Sequence, residues 1–588
     1  MISRRSFLGM TALAGARLTA GHPADHDGAQ NPAGAELVRE PDGPFLRARL
    51  VNRGTAPVPV HDIVIHEQPI ALPPESALYG EGFQMLTQTA GTLAGPRDLS
   101  QYTDAAHYRI PTSSGVSRAY YGLLTVTPPA GDTRLWAFTS CARFSGRFEI
   151  AASTLRAVIV GEGLPLQPGE SWPLEELMIA SGPDRPALLA SVATRLAANH
   201  PPLRATRPPT GWCSWYCFGP NVTAQQVLDN LDTIAREIPA LNYIQIDDGY
   251  QRAMGDWLET GAAFGGSVRT VLDEIRKRGF EPAIWVAPFI AEAGSEVFQQ
   301  HRDWFVTTDD GAPLRSDDVT FGGWRRGPWY ALDGTHPAVQ AHLERVFRTM
   351  RREWGCTYFK LDANFWGAIH GGRFHDRRAT RIEAYRRGMA AIARGAGDGF
   401  LLGCNHPIWP SAGLIHGSRS SNDIKRSWDR IITTARQNLS RNWQNGRLWW
   451  NDPDAVVLAA DLTDAECQFH ATAIYATGGM VLSGDDLTKL PAARAAMLRR
   501  LLPPTGVAAT FDDADLRVGR IALPEGEMIC LFNWDDRATA IEVRLPDRAA
   551  RAAARVSDFW TGESVTHQDG RIALTLPPRS ARLLKTTA

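Results

Sequence analysis

Long uninterrupted apolar runs are missing from this chain. Beyond its first residues, nothing reaches the roughly 20 apolar residues that a membrane-crossing helix needs. A dominant charge is missing too: 62 basic residues stand against 63 acidic, a formal charge of −1. That balance excludes the basic face of a nucleic-acid binder and the polybasic patch of an anionic-membrane binder. No nucleic-acid partner is expected, and no membrane partner once an export signal has been removed. Cysteine is scarce. Cys141, Cys213, Cys217, Cys356, Cys404, Cys467 and Cys530 are odd in number and widely spread. They do not make the disulfide framework of a small secreted domain. Cys213 and Cys217 lack a second pair at zinc-site spacing, so a structural zinc site is rejected. No metal and no cofactor is expected. There is no repeat of fixed period and no long low-complexity segment.

What is present is ordinary globular material, 44% hydrophobic and 21% charged. At 588 residues it is too long for one core, so two to four domains are expected. Residues 1–35 read as an export signal and tail. Ser3-Arg4-Arg5-Ser6-Phe7-Leu8-Gly9 and the apolar run to about Ala16 resemble a twin-arginine signal, which implies a periplasmic or secreted protein. A chain exported already folded passes through a reducing compartment, which fits few essential disulfides. Residues 36–198 alternate apolar and polar side chains between Gly/Pro/Asp clusters, the pattern of a β-sandwich. Within them Leu78-Tyr-Gly-Glu-Gly-Phe-Gln-Met85 is either a plain turn or a loop reaching toward another domain. Residues 199–210 are a proline-rich linker. Residues 211–502 repeat strand then helix, with eight main strand candidates, as a closed (β/α)8 TIM barrel requires. Residues 503–588 return to short alternating strands, a small C-terminal β-sandwich.

The barrel segment centres on Tyr358-Phe-Lys-Leu-Asp-Ala-Asn-Phe-Trp366. Lys360, Asp362 and Asn364 alternate with Phe359 and Leu361 and so share one side of a short strand. A buried lysine and carboxylate are costly unless they serve chemistry. A structural ion pair between them is the plain alternative. Other strand ends are polar too: Trp212 to Trp215, Asp247-Asp248, the region of Trp285, Cys404-Asn405-His406, Arg419 to Asp423, Asn451 to Asp454, and Asp485-Asp486. Active sites of such barrels lie at these ends. Hard-metal sites are nearly all oxygen; tryptophans and a lysine among the carboxylates point instead to a neutral polyol. Aspartate pairs accept hydroxyl hydrogen bonds, indole rings cover a sugar face, and two further carboxylates could cleave a glycosidic bond.

The ordered motifs Gly211-Trp-Cys-Ser-Trp215, Gln245-Ile-Asp-Asp-Gly-Tyr250, Lys360-Leu-Asp362, Arg419-x-x-x-Asp423-Ile-x-x-Ser-Trp428 and Trp450-Asn-Asp-Pro-Asp454 resemble glycoside hydrolase clan D, the α-galactosidases (melibiases) of families 27 and 36. The flanking β domains and Gly82-Phe-Gln84 are more similar to family 36. The resemblance implies Asp362 as nucleophile and Asp423 as general acid/base. It implies that Lys360 bonds a sugar hydroxyl and favours the ionised form of Asp362. It implies that the Asp362 charge raises the pKa of Asp423. Asp247 and Asp248 would hold the hydroxyls distal to the anomeric carbon. Arg419 and Asp454 would lie around the 2- and 3-hydroxyls, Trp212 and Trp285 would pack on the ring, and Cys404 would lie near the substrate. For Cys404 a buried apolar role is the alternative. The implied substrate is an α-linked galactosyl oligosaccharide or glycan.

Three departures stand out. Asp423 is followed by Ile-Lys-Arg rather than an acidic run. Strand five reads Cys404-Asn-His-Pro-Ile-Trp409 rather than a Gly-rich or Glu-containing pattern. Tyr250 stands where Trp is usual. The 2-substituent, and with it α-N-acetylgalactosaminidase or raffinose-synthase-like transfer, therefore stays open beside α-galactosidase. A carbohydrate-binding degenerate barrel would be expected to lose one catalytic carboxylate, and both are here. A homo-oligomer is among the assembly states left open.

Overall fold

The computed structural model describes residues 33–587 apart from 117, 152, 460, 512 and 546–554. The Arg4-Arg5 export motif lies outside the described residues. Eight parallel strands form the centre: β1 (Thr210–Cys213), β2 (Tyr243–Ile246), β3 (Glu281–Val286), β4 (Tyr358–Leu361), β5 (Phe400–Gly403), β6 (Gly417–Arg419), β7 (Trp450–Asp452) and β8 (Val481–Ser483). Their order is β7-β6-β5-β4-β3-β2-β1-β8. Met480 N donates to Asn451 O at 2.8 Å, and Val456 N, just past β7, donates to Leu482 O at 2.7 Å. These bonds bring the two ends of the sheet together. The expected barrel flanked by antiparallel sheets is what the chain folds into.

The helices start where the local chemistry says they should. The Thr223 hydroxyl and the Gln226 side chain form a reciprocal capping box on helix Ala224–Glu237. Helix Pro337–Arg352, which feeds β4, begins with proline in its first turn and is capped by the His336 side chain. The short strand Trp329–Ala331 is not one of the eight barrel strands. Trp329–Ala331 pairs antiparallel with Ile290–Glu292 beside the barrel mouth.

Among the described residues, the N-terminal region holds a nine-stranded and a four-stranded antiparallel sheet, and the C-terminal region a five-stranded and a two-stranded one. One element departs from the reading of 36–198 as β. After strand Leu177–Gly182 comes helix Arg185–Asn199, capped by Asp184 and carrying Pro186 in its first turn. Its buried Leu188, Leu189, Val192, Ala193 and Leu196 recur at helical spacing. The β-rich context upstream masks that signal.

The N-terminal sheet is bonded to the barrel. Trp409, after β5, lies over Gly122, where a Cβ would stand 2.1 Å from the indole, and the Gly122 φ of +74° also excludes a side chain. Trp409 Nε1 donates to Phe138 O at 2.7 Å. Arg441 donates from Nε and Nη2 to Glu81 at 3.0 and 2.6 Å, and both residues are almost fully buried. Removing one partner of such a pair leaves an uncompensated buried charge, a loss of about 3–5 kcal/mol. Arg441→Met should therefore lower the urea midpoint by that much in free energy. Adding Glu81→Leu should recover most of the loss. A single-variant cost under about 1 kcal/mol would show that the pair is hydrated.

Candidate active site

The eight strand ends meet at one mouth. Trp212, Asp247, Asp248, Trp285, Lys360, Cys404, Arg419 and Asp454 are buried there, Asp362 is 9% exposed, and the Asp423 side chain is 57% exposed. Lys360 Nζ donates to Asp247 Oδ2 at 2.9 Å, and Gln245 Nε2 donates to the same oxygen at 2.7 Å. Burial opposes the lysine charge, but the Asp247 carboxylate holds its pKa well above the ordinary value. Lys360 thus spends one of its three N–H donors on Asp247, two strands away in the sheet, rather than on Asp362.

Asp362 takes its partners elsewhere. Its Oδ1 accepts from Ala363 N and from Asn405 Nδ2, each at 2.7 Å. Its Oδ2 accepts from Trp285 Nε1 at 3.0 Å. Oδ1 is filled by protein donors, while Oδ2 keeps a lone pair free. Trp285, expected as a ring-packing residue, acts here through its N–H. Trp212 is likewise enclosed, with Nε1 donating to Asp485 O at 2.9 Å. Neither indole offers an open face. The backbone is strained where the site is built: Ala363, Asn405 and Asp454 have φ of +52°, +43° and +74°.

Arg419 joins the other half of the site. Its Nη2 donates to Asp423 Oδ1 at 2.7 Å, to Tyr216 OH at 3.1 Å and to Asp454 Oδ2. Asp454 Oδ2 also accepts from Tyr216 OH and Ile424 N, both at 2.6 Å. Desolvation pulls Asp423 upward, but the Arg419 guanidinium and the Lys360 charge outweigh it and hold its carboxyl below the usual range. The upward shift anticipated for Asp423 falls instead on Asp454. Burial there exceeds the pull of Arg419, the Asp423 and Asp452 charges add to it, and the carboxyl is pushed up to about 7. The Cys404 thiol lies 3.7 Å from Arg419 Nη1. Burial pushes it well up, and it feels the charges of both Asp362 and Asp423.

Arg325, Gln251 and Tyr216 were not singled out from the sequence, and Asn405 was named only as part of a polar strand end. Arg325 donates from Nε to Asp248 Oδ2 at 3.1 Å and from Nη2 to Asp248 Oδ1, while Gln251 Nε2 holds the same carboxylate at 2.6 Å. Burial still pushes the Asp248 carboxyl up. The glycine-flanked Trp324-Arg-Arg326 segment was the available signal. Tyr216 directly follows Gly211-Trp-Cys-Ser-Trp215. Asn405 sits in the strand-five stretch that departs from the family pattern.

A cavity of about 830 Å³ lies at the other end of the barrel, lined by Arg276, Arg348, Arg351, Arg352 and Arg394 among others. Four of these close the last turns of three helices, where cations offset the carbonyl end of the helix dipole. That face of a barrel carries stability rather than chemistry.

Residues 231–391 match the Melibiase family model. A curated relative, the A type blood α-D-galactosamine galactosaminidase of Flavonifractor plautii, is 30% identical over 158 residues, 26% of this chain and 14% of that protein. The bifunctional α-galactosidase/sucrose kinase of Mediterraneibacter gnavus is 22% identical over 164 residues, 26% of this chain and 17% of that one. The matched segment thus spans under a fifth of either relative. Among solved structures, an α-galactosidase from Thermus thermophilus in complex with p-nitrophenyl α-D-galactopyranoside superposes with a TM-score of 0.63 at 23% identity, covering 84% of this chain and 94% of that one. A GH36 α-galactosidase from Geobacillus stearothermophilus gives 0.63 at 13%, covering 94% and 82%. The clan D resemblance is thereby borne out over residues 231–391, and over most of the chain the fold is that of these α-galactosidase structures.

Proposed function

We propose that this protein is an exported retaining α-glycosidase, in the first place an α-galactosidase that removes terminal α-galactosyl residues. One observation carries the reading. Asp362 is held by three N–H donors, and Asp423 is held by Arg419 at the open edge of the same mouth, with Cys404 within reach of both charges. A fixed carboxylate with a free lone pair suits a nucleophile, and a solvent-reaching carboxyl suits an acid/base. Arg419 also bears on the sugar. The resemblance puts it around the 2- and 3-hydroxyls, where an amino sugar, as in the name of the F. plautii relative, would bring a second cation. Like-charge repulsion favours the galactoside. The purified protein should hydrolyse an aryl α-galactoside in the presence of chelator. Inactivity across a panel of aryl α-glycosides would overturn the proposal. Export is tested by Arg4→Lys with Arg5→Lys, which should retain the chain in the cytoplasm.

The pH dependence follows from the shared guanidinium. Burial keeps a proton on Asp454 until the pH passes about 7. Its ionisation redistributes the Arg419 guanidinium that Asp423 shares, so kcat/KM should fall as pH rises through about 7. Tyr216 OH bonds the ionised form of Asp454, so Tyr216→Phe should move this limb to higher pH. A limb that stays put would remove Asp454 from the titration. The stability signs differ. The raised Asp454 contributes stability that is complete below the ordinary carboxylate pKa and lost as pH rises through about 7. The lowered Asp423 contributes stability present above that ordinary value and lost as pH falls through its own lower one.

A further inference from the structure

Asn405 reaches the nucleophile from one side and the N-terminal domain from the other. Its Nδ2 donates to Asp362 Oδ1 at 2.7 Å, and its Oδ1 accepts from Gln84 Nε2 at 3.1 Å. Gln84, fully buried, also donates to Tyr108 OH at 2.8 Å, and its Oε1 accepts from Leu86 N. The order of these bonds has a direction. A backbone N–H can only donate, so Leu86 turns the Gln84 oxygen toward itself and the nitrogen toward Asn405. Gln84 then turns the Asn405 oxygen away from Asp362. Reversed, the Asn405 amide would set its own oxygen against a carboxylate oxygen with no proton between them.

The backbone around this relay is clamped. Met85 N donates to His406 O at 3.0 Å and Ile408 N to Phe83 O at 2.9 Å, so residues 83–85 run antiparallel to 406–408. Asp104 accepts from Phe83 N at 2.6 Å and from Gln84 N at 3.2 Å and ties the turn down from behind. We infer that Gln84 is a positioning residue for Asp362, acting through the Asn405 amide, so that the N-terminal domain sets the aim of the nucleophile. The inference rests on the reading of Asp362 given under Proposed function. A carboxylate misdirected by a fraction of an ångström loses its near-attack geometry.

Gln84→Met keeps the length and removes both donors without adding charge, and Gln84→Glu keeps the shape and removes them. Both should lower kcat on an aryl α-galactoside about 10–100-fold, the scale of a small misplacement, with KM nearly unchanged. Asn405→Ala should show the same split. If Gln84 acts only through Asn405, the double variant Gln84→Met/Asn405→Ala should be no slower than Asn405→Ala alone. Multiplying losses in the double variant, or a raised KM at wild-type kcat, would overturn the inference while the proposed function stands. A wild-type protein inert on every α-glycoside would remove both. Rates are taken per folded molecule, counted by near-ultraviolet circular dichroism, so that a partly unfolded variant still reports.

Discussion

Asp362→Ala is expected to lose on the order of 10⁴–10⁶ in kcat on every α-glycoside, because losing a nucleophile removes the covalent route altogether. The loss should not depend on the leaving group, since no leaving group can replace the attacking carboxylate. The vacancy should accept a small anion. Azide or formate would then attack from the face that Asp362 Oδ2 leaves, close to the Trp285 N–H that now bonds it. Rescue by azide with an inverted glycosyl azide as product is the positive result. Residual activity within about 100-fold of wild type would sink the assignment, because that is no more than the loss of one auxiliary donor.

Asp423→Ala is expected to divide substrates by leaving group. General acid catalysis is worth about 10²–10⁴-fold, so an unactivated disaccharide should lose that much or more. An aryl glycoside with a very acidic phenol needs no proton and should keep its glycosylation rate. Arg419 complicates the acid role, since it holds Asp423 below the ordinary carboxylate range in the free protein. Substrate entry would let Asp423 take up the proton that the acid step uses. Substrate in the mouth would expel water and strengthen the repulsion between Asp362 and Asp423, while Asp454 competes for the same guanidinium. In the proposed double displacement, forming the covalent intermediate would remove the Asp362 charge and let Asp423 turn base. Retention requires the two carboxyls about 5–5.5 Å apart, and inversion about 6.5–9.5 Å. Proton NMR of the first-formed sugar decides between them. An inverted product, or equal loss on activated and unactivated glycosides, would refute the double-displacement scheme.

The strand ends that carry these groups were readable because their signals are local. Alternation in Tyr358 to Asp362, the capping residues Thr223 and His336, and the carboxylates after β2, β4, β6, β7 and β8 need only a few neighbouring residues to be recognised. The helix Arg185–Asn199 was equally local, with Asp184 and Pro186 at its start, but it follows a long run of strands and was absorbed into them.

By itself the sequence determined the barrel, the order of its polar strand ends and the candidate carboxylates Asp362 and Asp423. Only the tertiary structure decided whom each charge serves. Lys360 could have faced Asp362 two residues away, yet it pairs with Asp247, 113 positions earlier. The raised carboxyl is Asp454 rather than Asp423, because burial and a shared guanidinium, not chain position, set the balance. Arg325 meets Asp248, and Gln84 meets Asn405 from 321 positions away. Propensity, alternation and capping act over one or two turns of chain and can be read from it. Coulomb and hydrogen-bond partnerships depend on distance and burial in space, which exist only once the barrel has closed and the N-terminal sheet has docked.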